Sequence, residues 1–403
     1  MNKFICKIHL TFLFLLCIFG TEFLKFKLII SNFPLYFEFA ISVVHIFLNL
    51  KHNQKLFLNK TEKKLIIFII YVSFIIFLSI LGFNKIFAIE NIAFNKKMII
   101  NQTYMISLLP IALSLYYTFI NNYEYIYNLL KKKCGYLLLV ILLLSFIGLC
   151  QYTVTTFVIA ILLNIYFKEK QNLMNKFIFI IFSIYYLLHI NGGTTSYLIL
   201  ICCFIFVYNN KIIKIIENHK KFLLLMLFLI VCAICINYKS VIILLKNMDA
   251  NFWWRFIFWI DNIKILKKTY LLGIGYGVTY GDSSLFKILS GGFIDPETGL
   301  PINSLNVLFT TAQHNSYINI LYRTGIIGLI LFLRVTFDLL FKTQKYINNN
   351  FDKTIYMMFI NANILILFNV GLESPQFLIL YYLSISSLLA IRKINSKKSK
   401  NLI

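Results

Sequence analysis

Two polar side chains, His314 and Asn315, stand directly before a long apolar run in the stretch AQHNSYINILYRTGIIG. A histidine can exchange a proton near neutral pH, and it can equally hold a neighbour by a plain hydrogen bond. Upstream, Arg255 and Trp259 are four residues apart in NFWWRFIFWIDNIKILKK, a spacing that puts them on one face of a helix. The chain has only four arginines (Arg255, Arg323, Arg334 and Arg392) among 39 basic residues, which makes each more informative than any lysine. A guanidinium is a permanently charged planar fork suited to bidentate phosphate contact, and at a bilayer surface it also serves as a headgroup anchor. An arginine and a histidine that met would grip an oxyanion and handle a proton beside it.

Between them lies LLGIGYG, with glycines 273, 275 and 277. A dinucleotide fingerprint needs strand, turn, then helix, whereas these glycines follow a helical pattern. Tight turns beneath a bound substrate, or a helix stop, fit the spacing better. GGFIDPETGLP further on is turn-rich. Arg323 lies about two turns into the following apolar run, where it could reach an anionic substrate. Arg334 and Asp338 are spaced i, i+4 and read as an ion pair inside that run. On a regular helix Arg323 and Arg334, eleven residues apart, would differ by only about 20° in azimuth.

The elements that must position these residues are membrane helices. The 403-residue chain is 60% hydrophobic and 13% charged, with mean hydropathy +0.79, far from the roughly 25% charged of soluble domains. Repeated apolar runs near the roughly 20-residue bilayer length make it an all-α polytopic membrane protein. About twelve spans are expected, near residues 5–21, 28–50, 65–83, 102–121, 135–150, 152–167, 177–191, 196–210, 222–238, 316–341, 354–371 and 375–391. Lysines concentrate in every second connection, as at 131–133 and 211–221, which puts both termini in the cytoplasm. The N-terminus lacks a small-residue cleavage site and reads as an uncleaved first span.

Three regions follow: an N-terminal bundle of nine spans (1–238), a large periplasmic loop with an amphipathic helix (239–315), and three C-terminal spans with a basic tail (316–403). A long ordered loop among short turns is usually functional, and it would put His314 at the outer surface. The net charge of +24 belongs to topology and AT-rich codon usage rather than to nucleic acid. Cys232 and Cys235 spell C-x-x-C inside an apolar run, where thiols act as small hydrophobes. No histidine or carboxylate spacing suggests a metal, and no cofactor is expected.

The order Arg255-x-x-x-Trp259, LLGIGYG, then HNSYINILYRTGIIG resembles the O-antigen ligase and O-antigen polymerase superfamily over roughly residues 250–335. The resemblance implies metal-independent glycosyl transfer from an undecaprenyl-pyrophosphate-linked oligosaccharide at the outer face of the inner membrane. It makes Arg255 and His314 the catalytic pair, with Trp259, Gly275, Asn315, Tyr317 and Arg323 as substrate-binding candidates. Membrane lipids and a chain-length regulator are the further partners it implies. One departure stands out. Ligases carry a second arginine at the outer end of an earlier span, and the corresponding NGGTTSY has Thr194 and Thr195 instead. Arg323, His189 or a lysine would have to replace it, or the pyrophosphate is handled differently. That favours a repeat-unit polymerase over a ligase. A protein O-oligosaccharyltransferase shares the donor, and a lipid-linked glycan flippase is the reading from another class. A flippase would place its functional charges near the midplane, whereas these cluster at the outer surface.

Overall fold

The computed structural model describes residues 2–19, 33–51, 60–83, 92–146, 250–281, 314–369 and 371–400, with isolated positions between 158 and 229. Among the described residues the regular structure is helical: α1 (Asn2–Phe19), α2 (Phe33–Lys51), α3 (Lys60–Ile80), α4 (Met98–Gln102), α5 (Tyr104–Ser107), α6 (Leu109–Phe146), α7 (Ala250–Lys268), α8 (Ser316–Lys342), α9 (Asn350–Phe368) and α10 (Pro375–Lys400). The stretches Lys60–Ile80, Ser316–Lys342, Asn350–Phe368 and Phe377–Ser396 are long and apolar enough to cross a membrane. The spans expected at 152–167, 177–191, 196–210 and 222–238 lie outside the described residues, as do His189, Thr194, Thr195 and GGFIDPETGLP.

Two compact units form. The first comprises residues 1–65, 104–208 and 334–403, and the second residues 66–103 and 209–333. In the first, α6 packs against α1, α2 and α10, and α10 packs against α9. Pro34, Pro110 and Pro375 each stand in the first turn of a helix, where the missing N–H has no intrahelical partner to lose. Asn349 caps α9 by accepting from Asp352 N at 2.8 Å. Buried Asp352 in turn accepts from Asn348 N, from Asn395 Nδ2 and from the Tyr123 hydroxyl.

Three expectations are corrected here. The expected span 102–121 ends at a kink, where two helices meet within α6 at Asn122, but the second helix runs on through Lys131–Lys133 into the expected span 135–150, where a loop was expected. Only Asn122 leaves helical geometry (φ −130°, ψ 20°), and Lys131–Lys133 ride on the helix as exposed side chains. Apolar residues continue on both sides of those lysines, so nothing in this stretch stops a helix.

Second, the run 316–341 is not one regular span. Gly325 (φ 71°, ψ −172°) breaks α8. The rings of Tyr317 and Phe332 lie 5.5 Å apart, whereas fifteen residues of straight helix would separate them by about 22 Å. The two halves therefore bend toward each other, and no azimuth carries from Arg323 to Arg334.

Third, Arg334 does not pair with Asp338; it is exposed. The carboxylate takes Lys342 Nζ at 2.7 Å and Lys64 Nζ at 2.8 Å. An acid N-terminal to a base by four residues suits the helix dipole, and Asp338–Lys342 has that order while Arg334–Asp338 has the reverse.

Candidate active site: an Arg–His pair and a stitched glycine loop

All the expected site residues fall in the second unit. α7 carries Arg255 and Trp259, both half-buried, and one turn further Asn262, fully buried, on the same face. The helix ends after Lys268 in a Schellman-type turn: Leu271 N donates to Leu266 O at 2.9 Å and Tyr270 N to Lys267 O at 3.3 Å. Tyr270 occupies the left-handed position usually given to glycine (φ 52°) and is exposed.

The chain then enters the break in α8. Ile274 N donates to Tyr322 O and Gly275 N to Arg323 O, both at 2.9 Å, while Ile326 N donates to Leu271 O at 2.9 Å. Tyr71 from α3 donates its hydroxyl to Thr324 O at 3.0 Å. Every one of these backbone groups on α8 would continue the helix ladder if the helix were unbroken. In an apolar setting such groups must find partners, and the glycine loop with Tyr71 supplies them.

The rest of the loop is equally occupied. Tyr276 N donates to Ser79 Oγ at 2.9 Å and Gly277 N to Gln102 Oε1 at 2.8 Å. Gln102 Nε2 returns to Val278 O at 3.0 Å, and Asn95 N donates to Gly277 O at 2.7 Å. Beneath it Ile265, Leu266, Ile274, Val278 and Tyr322 form an apolar cluster. Arg323 is 1% exposed. Its Nη1 donates to Gly275 O at 3.2 Å and Val278 O at 3.0 Å, and its guanidinium lies 4.2 Å over the Tyr280 ring. A cation on an aromatic face with two carbonyl acceptors is the arrangement expected of a guanidinium that fixes a loop.

His314 precedes α8 with left-handed backbone (φ 51°), an uncommon conformation for a residue with a side chain and one that recurs at functional positions. Asn315 is the helix cap: its Oδ1 accepts from Ile318 N at 3.0 Å. Tyr317 packs edge-on against Phe332. The imidazole of His314 is pushed down to about 4, first by burial and then by the charge of Arg255. The charge of Arg255 thus acts on His314, although the two lie 59 positions apart in sequence. The structure brings Gly275 and Arg323 together as a second, structural pair.

Several members of this unit escaped the sequence reading. Asn262 was visible only as the i+7 position from Arg255. Ser79, Gln102 and Tyr71 lie in segments with no sequence signal linking them to the loop.

Apolar helices of membrane-crossing length, with a helix–loop unit in which the charge of an arginine acts on a histidine, mark a multi-pass membrane protein. Residues 137–333 match the family model described as O-antigen ligase. This segment, which contains Arg255, LLGIGYG and the whole of HNSYINILYRTGIIG, supports the resemblance to the O-antigen ligase and polymerase superfamily. A search of curated proteins returns no match.

Proposed function

We propose that this protein is a surface-polysaccharide repeat-unit polymerase of the bacterial inner membrane. It joins one undecaprenyl-pyrophosphate-linked glycan to the end of another at the periplasmic face. The observation that carries the reading is the Arg255–His314 pair within the matched segment. In the reaction an acceptor hydroxyl oxygen bonds to the donor's anomeric carbon as the bond from that carbon to pyrophosphate oxygen breaks. Arg255 neutralises the charge that develops on the leaving undecaprenyl pyrophosphate. His314, neutral in the free protein because its pKa is near 4, accepts the acceptor's proton or holds the hydroxyl. A bound pyrophosphate beside Arg255 would offset the repulsion and raise the basicity of His314, so donor binding readies the base. Trp259 and Tyr317 offer aromatic surface to the glycan. Asn315, Gly275 and Arg323 hold the ground on which it rests. The residues proposed for these steps need neither metal nor cofactor.

The matched family's description favours a second reading, transfer of finished glycan to lipid A-core. The two differ in acceptor, so a deletion strain separates them. Loss of a polymerase leaves lipid A-core capped with a single repeat. Loss of a ligase leaves bare core and long chains on undecaprenyl pyrophosphate, and that result would replace the first reading by the second. Unchanged lipopolysaccharide would redirect the assignment to capsule or to protein O-glycosylation. Build-up of single repeats on the cytoplasmic leaflet would mark a flippase.

A further inference from the structure

In the first unit, α2 carries a polar stripe through an otherwise apolar helix: Glu38, Ser42, His45 and Asn49, spaced four, three and four residues apart. That spacing places them on one face over about 16 Å of helix axis. All four are buried, and Glu38 and Ser42 are fully so. They are met by His9 of α1 and by Ser114 and Asn121 of α6. The bonds form a continuous chain. His9 Nδ1 is bonded to Glu38 Oε1. His9 Nε2 lies 2.7 Å from Ser114 Oγ, and Ser114 Oγ lies 2.8 Å from His45 Nδ1. The two imidazole rings are 5.7 Å apart. Asn49 Nδ2 then donates to His45 O, and Asn121 Nδ2 to Asn49 Oδ1 at 3.0 Å.

The remaining charged side chains of these three helices are exposed, so none of them compensates a charge in this cluster. An isolated ion in such a place is costly; a carboxylate paired with an imidazolium is tolerated when its hydrogen bonds are made. Glu38 with His9 is such a pair, and it leaves His45 neutral. The proton count then fixes the bond directions. A protonated His9 donates from Nδ1 to Glu38 and from Nε2 to Ser114. The Ser114 hydroxyl, having one hydrogen, donates it to His45 Nδ1. His45 keeps its own hydrogen on Nε2, which makes no hydrogen bond to any described residue. Each link is thus a donor facing an acceptor, all running between Glu38 and His45 without a gap.

We propose that Glu38, His9, Ser114 and His45 form an internal proton-transfer chain in which one positive charge moves between the two histidines. The step conserves atoms and charge. The His9 Nε2–H bond breaks as its proton passes to Ser114 Oγ, and the Ser114 hydroxyl proton passes to His45 Nδ1. His9 becomes neutral and keeps its Nδ1 proton on Glu38, while His45 becomes an imidazolium. The hydroxyl is restored with its hydrogen turned toward His9. Nothing enters or leaves, and the charge shifts from α1 to α2. The chain has no part in the Arg255–His314 chemistry and stands whether or not that reading holds.

The test uses the full-length protein in lipid bilayers, labelled with nitrogen-15 at histidine, and solid-state NMR of the ring nitrogens. His9→Gln and His45→Gln assign the two rings. In the wild type both rings should show shifts between imidazolium and neutral imidazole, moving with temperature as the two positions exchange. Ser114→Ala should freeze the pair into one fixed imidazolium at His9 and one fixed neutral ring at His45. Ser114→Thr keeps the hydroxyl and should keep the exchange. Two static rings in the wild type, unchanged with temperature, overturn the proposal even if the alanine variant fails to fold. Exchange that persists in a folded alanine variant overturns the role of Ser114 and with it the chain.

Discussion

Gly273 and Gly325 lie backbone to backbone. A Cβ on Gly273 would fall 2.5 Å from Gly325 N, and one on Gly325 would fall 2.4 Å from the Leu272 carbonyl carbon. Both have positive φ, 85° and 71°. The glycine loop can enter the break in α8 only because neither residue has a side chain.

Gly273→Ala and Gly325→Ala should therefore each cost more than the roughly 1–2 kcal/mol of left-handed strain, because backbone that cannot move aside must also be displaced. Gly82 is the control: it has φ 82° and no neighbour within 4 Å of where a Cβ would stand, so Gly82→Ala should show the strain alone. Thermal unfolding in detergent, with membrane yield, reads the difference. Equal effects at all three positions would refute the close approach.

Arg255→Lys keeps the charge and loses the fork. Product formation should drop by about a hundredfold or more, with protein abundance and melting temperature near wild type. Full activity in the lysine variant would reduce Arg255 to a headgroup anchor.

Arg323→Lys should behave in the opposite way. One ammonium cannot hold Gly275 O and Val278 O while stacking on Tyr280, so about 1–3 kcal/mol of stability should go, with activity falling in step. Lost activity at unchanged stability would instead assign Arg323 to the substrate.

His314 should titrate near 4, as followed by NMR of the labelled ring. Burial is the larger cause and Arg255 the smaller, so Arg255→Gln should raise the value only part of the way to 6.5. The sign for stability follows. Between the folded value and 6.5 the unfolded chain binds more protons, so this group's contribution is full above about 6.5 and is lost as pH falls toward 4. His314→Asn separates roles: asparagine can bond but cannot act as a base, and substantial turnover would rule out proton transfer.

Topology is tested by fusions. A reporter after Gly291 should be active only in the periplasm, and one after Asn349 only in the cytoplasm. The reverse would move His314 to the other side of the membrane.

The sequence made the described helices legible because apolar length is a local signal. It made Arg255, Trp259 and His314 legible because four arginines in a lysine-rich chain invite comparison. What stayed hidden depended on pairing at long range. Gly325 inside an apolar run gave no sign that residues 271–275 would bond across it. Asp338 had one cation at i−4 and another at i+4, and only the fold brought in Lys64. The Glu38–Ser42–His45–Asn49 stripe was written in plain periodicity, yet it emerges only when an apolar helix is searched for its polar residues.

The break at Gly325 also alters how α8 meets the lipid. Only residues 326–342 continue as regular helix beyond it, about 25 Å, against a hydrocarbon layer of about 30 Å. The exposed face of this segment, with Ile327, Ile330, Arg334 and Phe337, stands at the short end of the roughly 17–25 residues that cross a bilayer. A bilayer of average thickness would have to thin beside it, with the Arg334 stem reaching for the headgroups.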